Sequence, residues 1–236
     1  MSRIIVAGAG HGGLTAAWKL AQLGHNVKVI EKHGRENLGY DQKDPVDASY
    51  FDFAGIEYPE RWKAPNNVIT LVPIDKNVEP ITLPEENGAS TLIVERRELL
   101  AFLIDLCEQA GVEFEFDCEV LEPLVLGSRV VGIRTQNSTE YADLIIDACG
   151  IDSPLRMKLP DFMHIQKELG DYDRLHVYRA YFDRVEGKPD PAHRYYVYVN
   201  RDGTVGFTWL ITEPDCVDIL IARFGEVTHE DVRENI

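Results

Sequence analysis

The first 31 residues restrict this chain more than anything that follows. Ile4 to Ala7 is a short, continuous apolar run with β-branched residues, which reads as a buried strand. Gly8-Ala9-Gly10-His11-Gly12-Gly13 comes next and fits G-x-G-x-x-G through Gly8, Gly10 and Gly13. Leu14, Ala17, Trp18 and Ala21 then recur at helical spacing, and Gly24 stands where a C-terminal cap belongs. Val27 to Ile30 is a second apolar strand and ends at Glu31. In such a turn the first glycine permits the tight bend, the second lets the backbone approach a pyrophosphate, and the third lets the helix pack on the strand. The phosphates face the N–H groups and the positive dipole end of the helix. Glu31 is placed to accept hydrogen bonds from ribose hydroxyls and to repel a 2′-phosphate. Strand, turn, helix, strand and acid in this order predict an adenine-dinucleotide site. The loop histidine, His11, is expected to meet ligand or solvent without a catalytic role.

Beyond Glu31 the repeating pattern stops. Prolines at 45, 59, 65, 73, 80 and 84 break residues 39–84 into irregular chain with short strands such as Val68 to Val72. A strand at Leu92 to Val94 and a helix with Leu99, Leu103, Leu106 and Ala110 on one face follow, closed by Gly111. Val112 to Phe116 is the next strand. Leu124 to Leu126, Val130 to Thr135 and Tyr141 to Asp147 then form an antiparallel meander that delivers Ala148-Cys149-Gly150. From Leu175 on, alternation predicts antiparallel strands at Leu175 to Phe182, Tyr195 to Asn200, Val205 to Ile211 and Val217 to Phe224, with a hairpin at Asp202-Gly203. The fold class is α/β with an α+β second region, and the mixed, mainly antiparallel sheet of that region lies beside the nucleotide domain. The expected boundaries are 1–39 with 85–156 for the nucleotide domain, and 40–84 with 157–236 for the second sheet.

Composition removes several partners. The formal charge of −16 argues against nucleic acid and anionic membrane surfaces, which need clustered cations. No apolar run reaches the roughly 20 residues of a membrane span. The four cysteines are scattered and the seven histidines lack ligand spacing, so neither a metal nor a redox disulfide is expected. The opening residues leave no room for a targeting sequence, which makes a cytoplasmic location the expectation.

Three segments carry a resemblance: Gly8 to Gly13 with Glu31, Arg97 at the start of the helix after Val94, and Ala142-Asp143-Leu144 through Arg156. Through them the chain resembles FAD-dependent oxidoreductases with the glutathione-reductase type of Rossmann domain, nearest the branch of geranylgeranyl reductases and aromatic-hydroxylase-type monooxygenases. The resemblance implies that Arg97 reaches the FAD phosphates or ribitol. It also implies that Val120 contacts the adenine through its backbone and that the stretch from Ala148 to Gly150 closes over the adenosine. The cofactor-binding set is then Gly8, Ala9, Gly10, His11, Gly12, Gly13, Glu31, Lys32, Arg97, Val120, Ala148 and Gly150. A prenyl-reductase aromatic motif is echoed in Phe207 and Trp209, which implies a substrate-cavity role beside the ordinary one of core packing. The hydroxylase pattern has Asp where Cys149 stands, and the family's C-terminal Gly-Asp motif is absent.

The implied function is FAD-dependent hydride chemistry on a small apolar organic substrate, with NAD(P)H as a candidate donor. C=C reduction of a prenyl-type compound stands ahead of flavin monooxygenation. A catalytically incomplete dinucleotide-binding module is the reading from another class. No general acid or base is identified. Thr228-His229-Glu230-Asp231 announces a helix that the sequence cuts short, so the chain reads as the N-terminal portion of a longer enzyme. A homodimer is expected through an exposed edge of the second sheet.

Overall fold

The computed structural model describes residues 1–64, 68–73, 77–83, 91–170, 172–185, 194–199, 205–213 and 215–235. In chain order the first elements are β1 (Arg3–Ala7), α1 (His11–Gln22), β2 (Asn26–Ile30), β3 (Lys43–Asp47), α2 (Ser49–Ala54), β4 (Val68–Val72) and β5 (Ile81–Thr82). Next come β6 (Thr91–Glu95), α3 (Arg96–Gln109), β7 (Glu113–Glu115), β8 (Val120–Leu126), β9 (Arg129–Thr135), β10 (Thr139–Tyr141), β11 (Leu144–Asp147) and α4 (Pro154–Lys158). The last are β12 (Leu175–Asp183), β13 (Arg194–Val199), β14 (Gly206–Thr212), β15 (Cys216–Phe224) and α5 (His229–Asn235). The expected Asp202-Gly203 hairpin lies outside the described residues.

Two units result: residues 1–62 with 91–167, and residues 63–90 with 168–236. The first is built on a parallel sheet of order β11-β1-β2-β7. Its central strand β1 reads as an unbroken apolar run from Ile4 to Ala7 because both of its faces are covered. Ile4 and Val6 of β1 join a core with Leu14, Ala17 and Trp18 of α1 and Leu99, Leu103 and Ile104 of α3. Ile5 and Ala7, on the opposite face, pack with Ile30, Cys118, Val120, Ile133 and Leu155. The meander β8-β9-β10 supplies that second cover.

The expected third meander strand is in fact two. At Ala142-Asp143 the chain leaves the antiparallel ladder with β9 and enters a parallel one with β1. Asp143 fixes the change: its N–H donates to the Arg3 carbonyl at 2.9 Å, and its carboxylate accepts the Arg3 N–H at 2.9 Å.

Residues 40–62 fall in the first unit, whereas the sequence boundary at 40 had set them in the second sheet. The strand β3 pairs antiparallel with β6, which therefore stands outside the parallel sheet. Phe51 packs against Tyr58 and Trp62, and Trp62 in turn meets Phe102 of α3 edge-on with centroids 5.1 Å apart. Aromatic burial against α3 decides the allegiance of this segment, and prolines in a sequence do not announce such a partner.

The second unit is one sheet of order β12-β15-β14-β13-β4-β5, antiparallel throughout except where β13 runs parallel to β4. The capping box forms at α5: the Asp231 N–H donates to Thr228 Oγ1 at 3.2 Å, and the Thr228 N–H donates to the Asp231 carboxylate at 2.7 Å. Bonds from Thr228, ahead of the Arg223 ion pair, hold the Asp231 carboxyl down at about 2. No helix among the described residues is long and apolar enough to cross a membrane.

Candidate dinucleotide site

The carboxyl ends of β1, β2 and β11 converge where the strand order reverses, the place at which open α/β sheets bind ligands. Gly8 leaves β1 with φ +105°, a left-handed value that a side chain resists. A Cβ there would stand 2.4 Å from the Ala148 carbonyl oxygen, so the β11 loop closes directly over the turn. A Cβ on Gly13 would stand 2.2 Å from the Gly8 carbonyl oxygen, which is the close packing of helix and strand expected of that position. At Gly10 and Gly12 the same construction meets nothing within 4 Å among the described residues. Two glycines are therefore demanded by the protein's own backbone, and the other two keep space open in front of the helix.

That helix end is prepared for an anion. Gly10 caps α1 in an extended conformation, with no side-chain cap among the described residues and no acidic residue in the first turn. The first-turn N–H groups are left for an outside acceptor. The buried Glu31 accepts the Ala9 N–H at 2.8 Å and the His33 N–H at 2.9 Å, one on each carboxylate oxygen. The acid that the sequence assigned to a ribose thus also holds the turn to the end of β2. Each oxygen retains lone-pair capacity for a ligand hydroxyl. Glu31→Ala is expected to lower stability by about 2 kcal/mol through the two amides left unpaired. Urea unfolding reads this, and a change below a few tenths would show that the clamp does no structural work.

A recess of about 280 Å³ lies beside this clamp, lined by Gly8, Glu31, Lys32, Glu119, Val120, Ala148 and Cys149 among others. Five of the sequence-chosen residues meet there: Gly8, Glu31, Lys32, Val120 and Ala148. The neighbouring turn is shaped by Asp147, which accepts the Cys149 N–H at 3.1 Å and the Ser153 hydroxyl at 2.5 Å. Ser153 caps α4 with Pro154 at its first position, a signal legible in the sequence but not used. Burial, then the Asp147 carboxylate, pushes the Cys149 thiol up to about 12, so it is a neutral thiol at physiological pH.

His11 and Gly12 open on a different recess, an apolar cleft of about 850 Å³. Thr15 and Lys19 of α1, Pro45 and Val46 of β3, Tyr50, Phe51 and Phe53 of α2, and Leu99 and Leu103 of α3 contribute to its walls. This cleft was missed by sequence reasoning because residues 40–62 had been set in the other sheet. Arg97, in the first turn of α3, lines neither recess. Its Nε donates to Asp41 at 2.7 Å and its Nη1 to the Glu36 carbonyl at 3.3 Å. Its sequence neighbour Glu98 instead pairs with Arg61 and accepts the Trp62 indole N–H at 2.9 Å.

In the second unit Phe207 and Trp209 share one face of β14, with ring centroids 5.8 Å apart. Both are half-buried, and Trp209 Nε1 is buried without a hydrogen-bond partner among the described residues. The Arg179 guanidinium lies 5.5 Å from the Trp209 ring and 5.3 Å from Tyr181. No group of three or more metal-ligating side chains occurs among the described residues.

Residues 6–47 match the family described as NAD(P)-binding Rossmann-like domain. A geranylgeranyl bacteriochlorophyll reductase-like protein from Thermoplasma acidophilum superimposes with a TM-score of 0.73 at 18% identity, over 94% of this chain and 56% of that one. The fold is a Rossmann-like FAD/NAD(P)-binding domain with an added mixed sheet. In sequence, this Rossmann-like chain is 28% identical over 166 residues to the digeranylgeranylglycerophospholipid reductase of Haloferax volcanii, a match covering 70% of this chain and 39% of that protein. It is 26% identical over 208 residues to the flavin-dependent monooxygenase eupH of a Phoma species, covering 80% of this chain and 46% of that protein. The chain spans less than half the length of these curated relatives.

Proposed function

We propose that this chain is the dinucleotide-binding portion of an FAD-dependent oxidoreductase. The observation that carries the reading is the pairing of an uncapped helix N-terminus behind Gly8–Gly13 with the Glu31 clamp beside the 280 Å³ recess. In this reading the pyrophosphate meets the first-turn amides of α1. Adenosine lies against Glu31, Lys32, Val120 and Ala148, with Gly150 in the closing loop. The cleft at His11 and Gly12 offers the other end of the cofactor an apolar wall. FAD supplies hydride chemistry when bound, and the protein supplies orientation and exclusion of water. FAD is favoured over NAD because β2 is followed by the β3-β6 pair and a meander instead of a second set of βαβ units.

The substrate in this reading is a small apolar organic molecule, with C=C reduction of a prenyl-type compound placed first and NAD(P)H as the donor. Flavin monooxygenation is the second reading, favoured by the match to the Phoma monooxygenase across 80% of the chain. Phe207 and Trp209 are assigned to the substrate cavity. A cytoplasmic location and a homodimer complete the picture, with β5 and β12 as the ends of the six-stranded order.

Titration of the purified chain with FAD, followed by absorbance and by light scattering after gel filtration, tests this. Stoichiometric uptake, with the visible absorption of bound oxidised flavin, is the expected result. Binding of ADP without FAD would confine the chain to the nucleotide half, and indifference to both would overturn the reading. A monodisperse monomer would remove the dimer.

A further inference from the structure

The apolar cleft beside α1 extends well past the dinucleotide turn. Its wall on α1 runs from His11 to Lys19, eight residues further along and therefore about 12 Å down the helix. Phe51, Phe53, Ile56, Leu99 and Leu103 make the rest of that length apolar. Lys19 stands where α1 meets the end of α2: its Nζ donates to the Ala54 carbonyl at 3.2 Å and lies 5.4 Å from the Trp18 ring centroid. Among the described residues this ammonium pairs with no carboxylate. Asp44 is the one carboxylate among the described lining residues, and Arg96 grips both of its oxygens. The cleft is thus left with a net positive charge, in a chain whose formal charge is −16. Tyr50 and Phe53 at its rim are 70% and 94% exposed, an apolar surface of the kind that marks a binding site. A volume of about 850 Å³ with apolar walls and few polar groups is that of a small-molecule site.

We propose that this cleft binds a single-chain amphiphile ending in a carboxylate, a fatty-acid anion, with its chain along α1 and its head at Lys19. The apolar walls take the alkyl chain out of water, which drives binding. The Lys19 ammonium takes the head in a charge-assisted hydrogen bond. A single cation already shared with a backbone carbonyl matches one negative charge, whereas a phosphate monoester brings close to two. The site is separate from the substrate cavity assigned to Phe207 and Trp209, and from the His11 end of the cleft, where the cofactor is proposed to lie. It goes beyond the FAD reading and does not depend on it.

The test is calorimetric titration with decanoate below its micelle concentration at neutral pH, with decanol and decyl phosphate as comparison ligands. The unaltered chain is expected to take up one decanoate. Lys19→Gln is expected to weaken decanoate about three- to ten-fold and to leave decanol unchanged, as the loss of a charge-assisted bond at an open site requires. Phe53→Ser, at a position too exposed to unsettle the fold, is expected to weaken both ligands. No uptake of decanoate overturns the proposal, and so does an equal change for both ligands in Lys19→Gln. Unchanged binding by Phe53→Ser overturns it by placing the ligand elsewhere. Tighter binding of decyl phosphate than of decanoate overturns the carboxylate head. With the chain saturated in FAD, decanoate uptake is expected to persist. Mutual exclusion of the two overturns the separate site and leaves the FAD reading standing, whereas decanoate uptake by a chain that ignores FAD removes that reading and leaves the site. Thermal melts of both variants show whether a lost affinity is only a lost fold.

Discussion

Gly8→Ala is expected to be among the most damaging single substitutions in the first unit. The new methyl group would stand 2.4 Å from the Ala148 carbonyl oxygen, on a backbone held at φ +105°. Left-handed strain and displacement of the β11 loop together predict a loss of about 3 kcal/mol. FAD affinity is expected to fall on the order of a hundredfold, the equivalent of one or two charge-assisted phosphate bonds. Gly12→Ala is the built-in control. It meets open space inside α1, where alanine is the better helix former, so stability is expected to hold or rise by about 0.5 kcal/mol. Calorimetry of the two variants checks the stabilities, and FAD titration is applied to Gly8→Ala alone, because Gly12 borders the space left open in front of the helix. An equal loss of stability in the pair would mean that the turn does not need the geometry assigned to Gly8.

The second large effect is placed far from the turn in sequence. Asp218 and Arg179 form a two-pronged ion pair on adjacent strands of the six-stranded sheet, at 2.9 and 2.6 Å, with side chains only 3% and 9% exposed. Asp218→Ala leaves a buried guanidinium without its carboxylate and is expected to cost about 3–5 kcal/mol. Replacing both partners, as in Arg179→Met with Asp218→Leu, is expected to recover most of that loss, because the pair repays little beyond its own desolvation. Trp209 reports on this unit, while Trp18 and Trp62 belong to the other. Urea unfolding followed by fluorescence in a Trp18→Phe, Trp62→Phe background therefore isolates the transition. A loss under 1 kcal/mol for Asp218→Ala would show that water reaches the pair. The neighbouring Tyr195 hydroxyl is pushed well above its ordinary value by burial and then by the Glu213 and Asp218 carboxylates, as a dry setting requires.

The same contrast between local signal and distant partner runs through the whole chain. Glu31 was legible as an acid at the end of a strand, and the ribose contact proposed for it rests on type and position. That it also clamps the Ala9 and His33 amides follows only from the folded turn. Arg97 was legible as a cation opening a helix, but its partner Asp41 lies 56 residues earlier and carries no pattern that marks it. The run from Tyr141 to Asp147 reads as one strand, yet Arg3 at the far end of the chain divides it in two.

By itself the sequence determined the elements that rest on neighbours along the chain. These are the β1-α1-β2 unit, the glycines of its turn, the helical face of α3 and the alternating strands after Leu175. Periodicity and glycine placement act over a few residues, so one sequence suffices to read them. Only the tertiary structure decided that residues 40–62 join the first unit, that a cleft opens beside His11, and that a buried Arg179–Asp218 pair lies beneath Trp209. Those outcomes depend on which distant surfaces bury one another and which charges meet in the dry interior. Such contacts are a property of the whole packed chain, and no window of sequence contains both partners.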